Sequence, residues 1–121
     1  MITRIGTVTV PVRDQDKALD FYTNALGFEK RDDQPMGEGA RWITVAPKNA
    51  ETNIVLEAAG PEDRIGTWAN TILECDDIYA THEELSGRGV EFSEKPSEQP
   101  WGMWARLKDV DGNEFGLYSS K

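Results

Sequence analysis

The 121-residue chain carries 22 acidic against 13 basic side chains, a formal charge of −9, a field that disfavours nucleic-acid backbones and anionic membranes and concentrates cationic small molecules. No apolar run approaches the roughly 20 residues of a membrane span, and an alternating pattern starts so near the N-terminus that no signal peptide is expected. The single cysteine, Cys75, excludes an intramolecular disulfide and fits a reducing cytoplasm.

In chain order, residues 5–12 alternate, with Val8, Val10 and Val12 on one face and Thr7, Thr9 and Pro11 on the other. Asp14 or Asp16 caps the helix that follows. Ala18, Leu19, Phe21, Tyr22, Ala25 and Leu26 recur at helical spacing, and Gly27 supplies a left-handed stop. Strands are predicted over 28–32, 41–46 and 53–58, with turns at Pro35/Gly37/Gly39 and Pro47-Lys48-Asn49. Residues 60–67 read as a linker, the break starting at Ala59 and holding Gly60, Pro61 and Gly66.

The pattern then repeats. Ala69 to Cys75 form a strand, Asp76 and Asp77 are caps, a helix carries Ile78, Ala80 and Leu85, and Gly87 and Gly89 end it. Strands over 90–94, 103–108 and 114–119 follow, separated by a turn from Pro96 to Pro100 and by an Asp111-Gly112 hairpin turn. A shift of 62 superposes the helices and 63 the strands, a one-residue slip between copies. The fold class expected is α+β: two tandem β-α-β-β-β modules, 1–59 and 68–121, in one domain over 1–121, forming a concave mixed sheet with the helices outside. Each helix covers one face of its sheet, and the uncovered faces are where a ligand would fit.

Several pieces carry a family resemblance: the first strand leading to Asp14; Ala18, Phe21-Tyr22 and Leu26-Gly27-Phe28; Asp76-Asp77-Ile78 with Ala80, leading to Gly89-Val90; Gln99-Pro100-Trp101-Gly102; and Asp109, Asp111-Gly112-Asn113. In this order the chain resembles the vicinal oxygen chelate superfamily, the glyoxalase/bleomycin-resistance/dioxygenase proteins. Metal-using members take His and Glu ligands from the first and last strand of each module, and the metal acts as a Lewis acid on two neighbouring substrate oxygens. The resemblance places these positions at Thr7, at Glu57 or Val55, at Asn70 and at Gly116. At most one is a good ligand, so the standard metal site is expected to be absent and no cofactor is expected.

The lone His82 falls in the second helix, and Cys75 is read as a small buried hydrophobe rather than a reactive thiol. Glu57, Glu74 and Glu114 fall on strand positions facing the concavity, either as solvated edges or as an anionic patch for a cation. The ligand-binding candidates are Thr7, Glu57, Trp68, Asn70, Glu74, Trp101, Trp104 and Tyr118; Trp42 belongs with the core-packing aromatics. The leading expectation is a metal-independent, cytoplasmic, homodimeric small-molecule binding protein similar to bleomycin-resistance proteins, sequestering an antibiotic or metabolite of cationic or aromatic character. The alternative is a divergent enzyme of the superfamily: a metal-dependent lyase, isomerase or dioxygenase holding a divalent metal, or a metal-free acid/base catalyst using Glu57 or Glu74.

Overall fold

The computed structural model describes every residue except Glu38, Ala59 and Pro61; the expected linker residue Pro61 and its neighbour Ala59 therefore lie outside the described residues. The chain forms two compact units, Met1–Ile65 and Gly66–Lys121. Each contains one four-stranded mixed sheet rather than a share of a single continuous one, with few helices. This is the β-α-β-β-β arrangement expected for each module.

In the first unit the elements are β1 (Thr7–Pro11), α1 (Gln15–Asp20), a π-helical turn (Phe21–Ala25), β2 (Glu29–Pro35), β3 (Arg41–Ala46) and β4 (Asn53–Glu57), with sheet order β1-β4-β3-β2. β1 and β4 run parallel and the other neighbours antiparallel. Of the two cap candidates it is Asp14 that works: its Oδ1 accepts the Lys17 N–H at 3.0 Å, while Asp16 pairs with Arg41 Nη1 at 2.7 Å. Val10, Val12, Ile43, Val45, Ile54 and Leu56 are buried, as are Ala18 and Tyr22 from the helical segment.

Gln15 joins this core although it is polar. The β3–β4 ladder pairs only Thr44 with Val55 and Val45 with Ile54, and the Gln15 carboxamide bridges the strands beyond it. Its Nε2 donates to Arg41 O at 2.6 Å and Leu56 O at 2.9 Å, and its Oε1 accepts from Arg41 N at 3.3 Å. The side chain is thereby satisfied while 9% exposed.

The second unit holds β5 (Trp68–Glu74), α2 (Ile78–Gly87), β6 (Glu91–Gln99), β7 (Gly102–Lys108) and β8 (Glu114–Ser119), in sheet order β5-β8-β7-β6. Here Asp77 is the cap, accepting the N–H groups of Tyr79 and Ala80 at 3.1 Å each, whereas Asp76 accepts only the N–H of Asp77. Ile78 and Leu85 of α2 are buried, together with Ala105, Leu107, Phe115 and Leu117 of the sheet. The Asp109–Asn113 turn buries its own polar groups. Asp109 accepts from the N–H groups of Asp111 and Asn113 and from Asn113 Nδ2, all at 2.9 Å, and Gly112 takes the positive φ of 83° that the turn needs.

The slip between copies has a structural form. The caps Asp14 and Asp77 are 63 positions apart, but the left-handed stops Gly27 and Gly89 are 62 apart. The extra residue of the first copy is absorbed in the π-helical turn, where Leu26 N–H reaches Phe21 O at 3.1 Å. The expected single α-helix over this stretch is therefore an α-helix running into a wider turn. A second irregularity lies in β5, where Trp68 pairs with Glu114 but Ile72 with Gly116, so two residues bulge out. Asn70 occupies that bulge at φ 56°.

One boundary differs more substantially. Where the sequence predicts a turn from Pro96 to Pro100, β6 continues through Pro96 to Gln99. β6 is an edge strand, and its register shifts between Glu94 and Ser97. A proline that donates no backbone hydrogen bond is tolerated at such a place.

Candidate functional site

The second unit's sheet has one face packed with α2 and one face of different character. β-strand alternation puts Ile72 and Glu74 of β5, Trp104 and Arg106 of β7, and Glu114, Gly116 and Tyr118 of β8 on this second face. A cleft of about 600 Å³ opens here, lined by Ile72, Glu74, Trp101, Trp104 and Tyr118. Glu74 is the one charged side chain among these five.

The aromatic wall is mutually braced. Trp101 stacks on Tyr118 at 6.1 Å between centroids with planes 24° apart, and meets Trp104 edge to face at 5.6 Å. Tyr118 Oη donates to the Trp101 carbonyl at 3.3 Å, tying the turn before β7 to β8. Gly102 makes this closeness possible: its φ is 140°, and a Cβ there would stand 3.0 Å from Tyr118 Oη. Trp101 itself remains 57% exposed.

Trp68 has another role than the cleft wall expected for it. The Arg106 guanidinium lies 4.4 Å from its ring centroid, and its ring packs against Trp104 at 6.4 Å. Arg106 Nε in turn approaches Glu94 at 3.5 Å and Glu114 at 3.6 Å. Trp68 thus backs Trp104 from behind, outside the cleft lining. Glu114 is neither a free solvated edge nor an open anionic site, since it also accepts from Ser93 Oγ at 2.6 Å.

The remaining candidates lie elsewhere within each unit. Thr7 and Glu57 are exposed positions of the first unit's sheet, and Asn70 is exposed in the β5 bulge. His82 is half-buried in α2 with its ring edge-to-face on Phe92 at 4.5 Å. Cys75 is also half-buried, and burial pushes its thiol pKa up, against a smaller opposing effect of a Thr81 hydrogen bond. A raised thiol is a poor nucleophile at neutral pH. Two residues escaped sequence reasoning. Ile72 lines the cleft at 55% exposure; the signal was an apolar residue on the polar parity of its strand, between Asn70 and Glu74. Arg106 shares the parity of Trp104, and only the folded sheet shows that it stacks on Trp68.

The pairing register also decides between Val55 and Glu57 at the second family position. Thr9 faces Val55 as Ile72 faces Gly116, and Pro11 faces Glu57 as Glu74 faces Tyr118. Val55 is therefore the counterpart of Gly116, and Glu57 that of Tyr118. Thr7, Val55, Asn70 and Gly116 offer a hydroxyl, two methyls, a carboxamide and no side chain. That donor set does not fit a catalytic metal. Among the described residues no group of three or more His, Cys, Asp or Glu side chains is placed to hold a metal ion.

A two-unit β-α-β-β-β fold with an aromatic cleft on one sheet defines a class of small α+β proteins, and comparison with known proteins gives the family. Residues 4–117 match the family model of the Glyoxalase/Bleomycin resistance protein/Dioxygenase superfamily, and the chain belongs to that superfamily. It is 44% identical to the uncharacterized protein YetH of Bacillus subtilis (strain 168), over 97% of this chain and 98% of that one. The crystal structure of TnmS3, an antibiotic binding protein from Streptomyces sp. CB03234, shares 40% identity with a TM-score of 0.89, over 99% of this chain and 98% of that one. UcmS2 matches with the same TM-score at 38% identity, over 99% of this chain and all of the other. No helix among the described residues is long and apolar enough to cross a membrane.

Proposed function

We propose that the protein captures a flat, cationic aromatic small molecule in the second unit's cleft, without a metal and without transforming it, so as to sequester an antibiotic or metabolite. The observation that carries this reading is the cleft wall: Trp101, Trp104 and Tyr118 offer π surface to a planar ligand, and Glu74 adds one negative charge. A cleft of about 600 Å³ falls within the ordinary range of small-molecule sites. The formal charge of −9 favours arrival of a cation. The likeness to TnmS3, an antibiotic binding protein, supports the binding reading over catalysis. On the family resemblance the working form is a homodimer, which sedimentation analysis of the purified protein checks; the single cysteine fits a cytoplasmic location.

The test is equilibrium dialysis against a panel of planar cationic aromatics, followed by mass spectrometry of the recovered ligand. The expected result is saturable binding with the ligand returned unchanged. Recovery of a converted product overturns the reading in favour of a divergent enzyme of the superfamily, metal-dependent or using Glu57 or Glu74 as base.

A further inference from the structure

We propose that Gly116 determines ligand selectivity by providing a socket for the Trp104 indole, so that a place the family uses for a metal ligand here seats an aromatic wall. This rests on the aromatic-ligand reading above. Gly116 lies in the middle of β8, paired with Ile72 on one side and Arg106 on the other. A glycine inside a strand is destabilising relative to alanine, so its presence there calls for a reason. The backbone supplies none, because Gly116 does not have a positive φ. The neighbouring ring does. A Cβ built on Gly116 would overlap Trp104 Cη2 and stand 2.8 Å from Cζ3 and 3.0 Å from Cζ2. The far edge of the benzo ring occupies the volume where any other residue would put its first carbon.

Two aromatic rings flank the half-buried indole. Trp101 bounds it on the cleft side and Trp68, held by Arg106, on the other. A methyl group at position 116 would lever the ring toward Trp101 and into the cleft. Planar ligands that stack on the wall would lose most, and twisted ones that cannot lie flat would lose less.

The experiment measures binding of two cationic dyes, flat proflavine and propeller-shaped crystal violet, to wild type, Gly116→Ala, Trp104→Ala and the double variant. The expected result is proflavine affinity about tenfold lower in Gly116→Ala, the scale of one aromatic contact, with a smaller loss for crystal violet. In the Trp104→Ala background the Gly116→Ala change has no further effect, because the volume is already free. Equal losses for both dyes, or the same Gly116→Ala loss with and without Trp104, overturn the socket alone. A wild type that binds neither dye overturns the aromatic-ligand reading, and the inference with it. If Gly116→Ala does not fold, the double variant is expected to fold; a double variant that stays unfolded overturns the socket.

Discussion

Replacing Trp101 with alanine separates binding from folding, because this ring is the most exposed part of the cleft wall. At 57% exposure, roughly 100 Å² of a large aromatic side chain is already covered in the free protein. At about 25 cal/mol per Å² that is at most about 2.5 kcal/mol, and about 1–2 kcal/mol after allowance for a compact unfolded chain. The loop anchor survives, since Tyr118 Oη donates to the main-chain carbonyl of residue 101 and not to the ring. A planar ligand covering about half of the ring's free surface buries roughly 70 Å² on the protein and a similar area of its own. The immobilisation cost is common to both proteins and cancels; with part of the ligand's own area still covered by the rest of the wall, the difference is about 2 kcal/mol, or about thirtyfold in affinity. Isothermal titration with proflavine, beside urea unfolding of the same samples, measures both quantities. A loss in affinity below about threefold refutes the placement of ligand against Trp101, and unfolding of Trp101→Ala in mild urea refutes the claim that the ring serves binding more than stability.

Glu74→Gln removes the cleft's negative charge at nearly constant shape. Proflavine affinity is expected to fall roughly fivefold at low salt and to lose most of its salt dependence; an unchanged salt slope refutes the role given to the carboxylate. Gln15→Met keeps side-chain volume but leaves the carbonyls of Arg41 and Leu56 and the N–H of Arg41 unbridged, at an expected cost of about 3 kcal/mol in urea unfolding. A cost under about 1 kcal/mol shows that the strands close up without the carboxamide. The Arg41 guanidinium, donating to Asp33 at 2.9 and 3.0 Å, holds that carboxyl below the ordinary aspartate value of 3.8. Because folding lowers this pKa, the pair stabilises the fold above the ordinary value and its contribution is lost as pH falls through the lowered one. The stability difference between wild type and Asp33→Asn is therefore expected to shrink on acidification below about pH 4, and a difference that widens there contradicts the assignment.

What the sequence disclosed and what it withheld divide along the range of the interaction. Caps, left-handed stops and the Asp111-Gly112 turn are set by neighbours within four residues, and the module repeat with its one-residue slip followed from them. The form of the slip did not: the first copy carries a π-helical turn, the β5 bulge follows from its ladder with β8, and neither is encoded in a local pattern. Gln15 was missed for the same reason, although its spacing to Ala18 and Tyr22 set it on their buried stripe. A polar residue in that register is a signal that something across the core needs a partner. In the site, strand parity identified the face, but could not tell a ring that lines a cleft from one that supports it. Trp101 lines the cleft, whereas Trp68 carries the Arg106 guanidinium on its ring. Gly116 makes the point most sharply. Along the chain it is a residue without a side chain at a position where the family resemblance expects a ligand; across the sheet its bare Cα is the room that the Trp104 ring occupies. On the socket proposal one residue couples the donor set to the aromatic wall, and a carboxylate introduced at position 116 would have to displace the Trp104 ring before it could hold a metal.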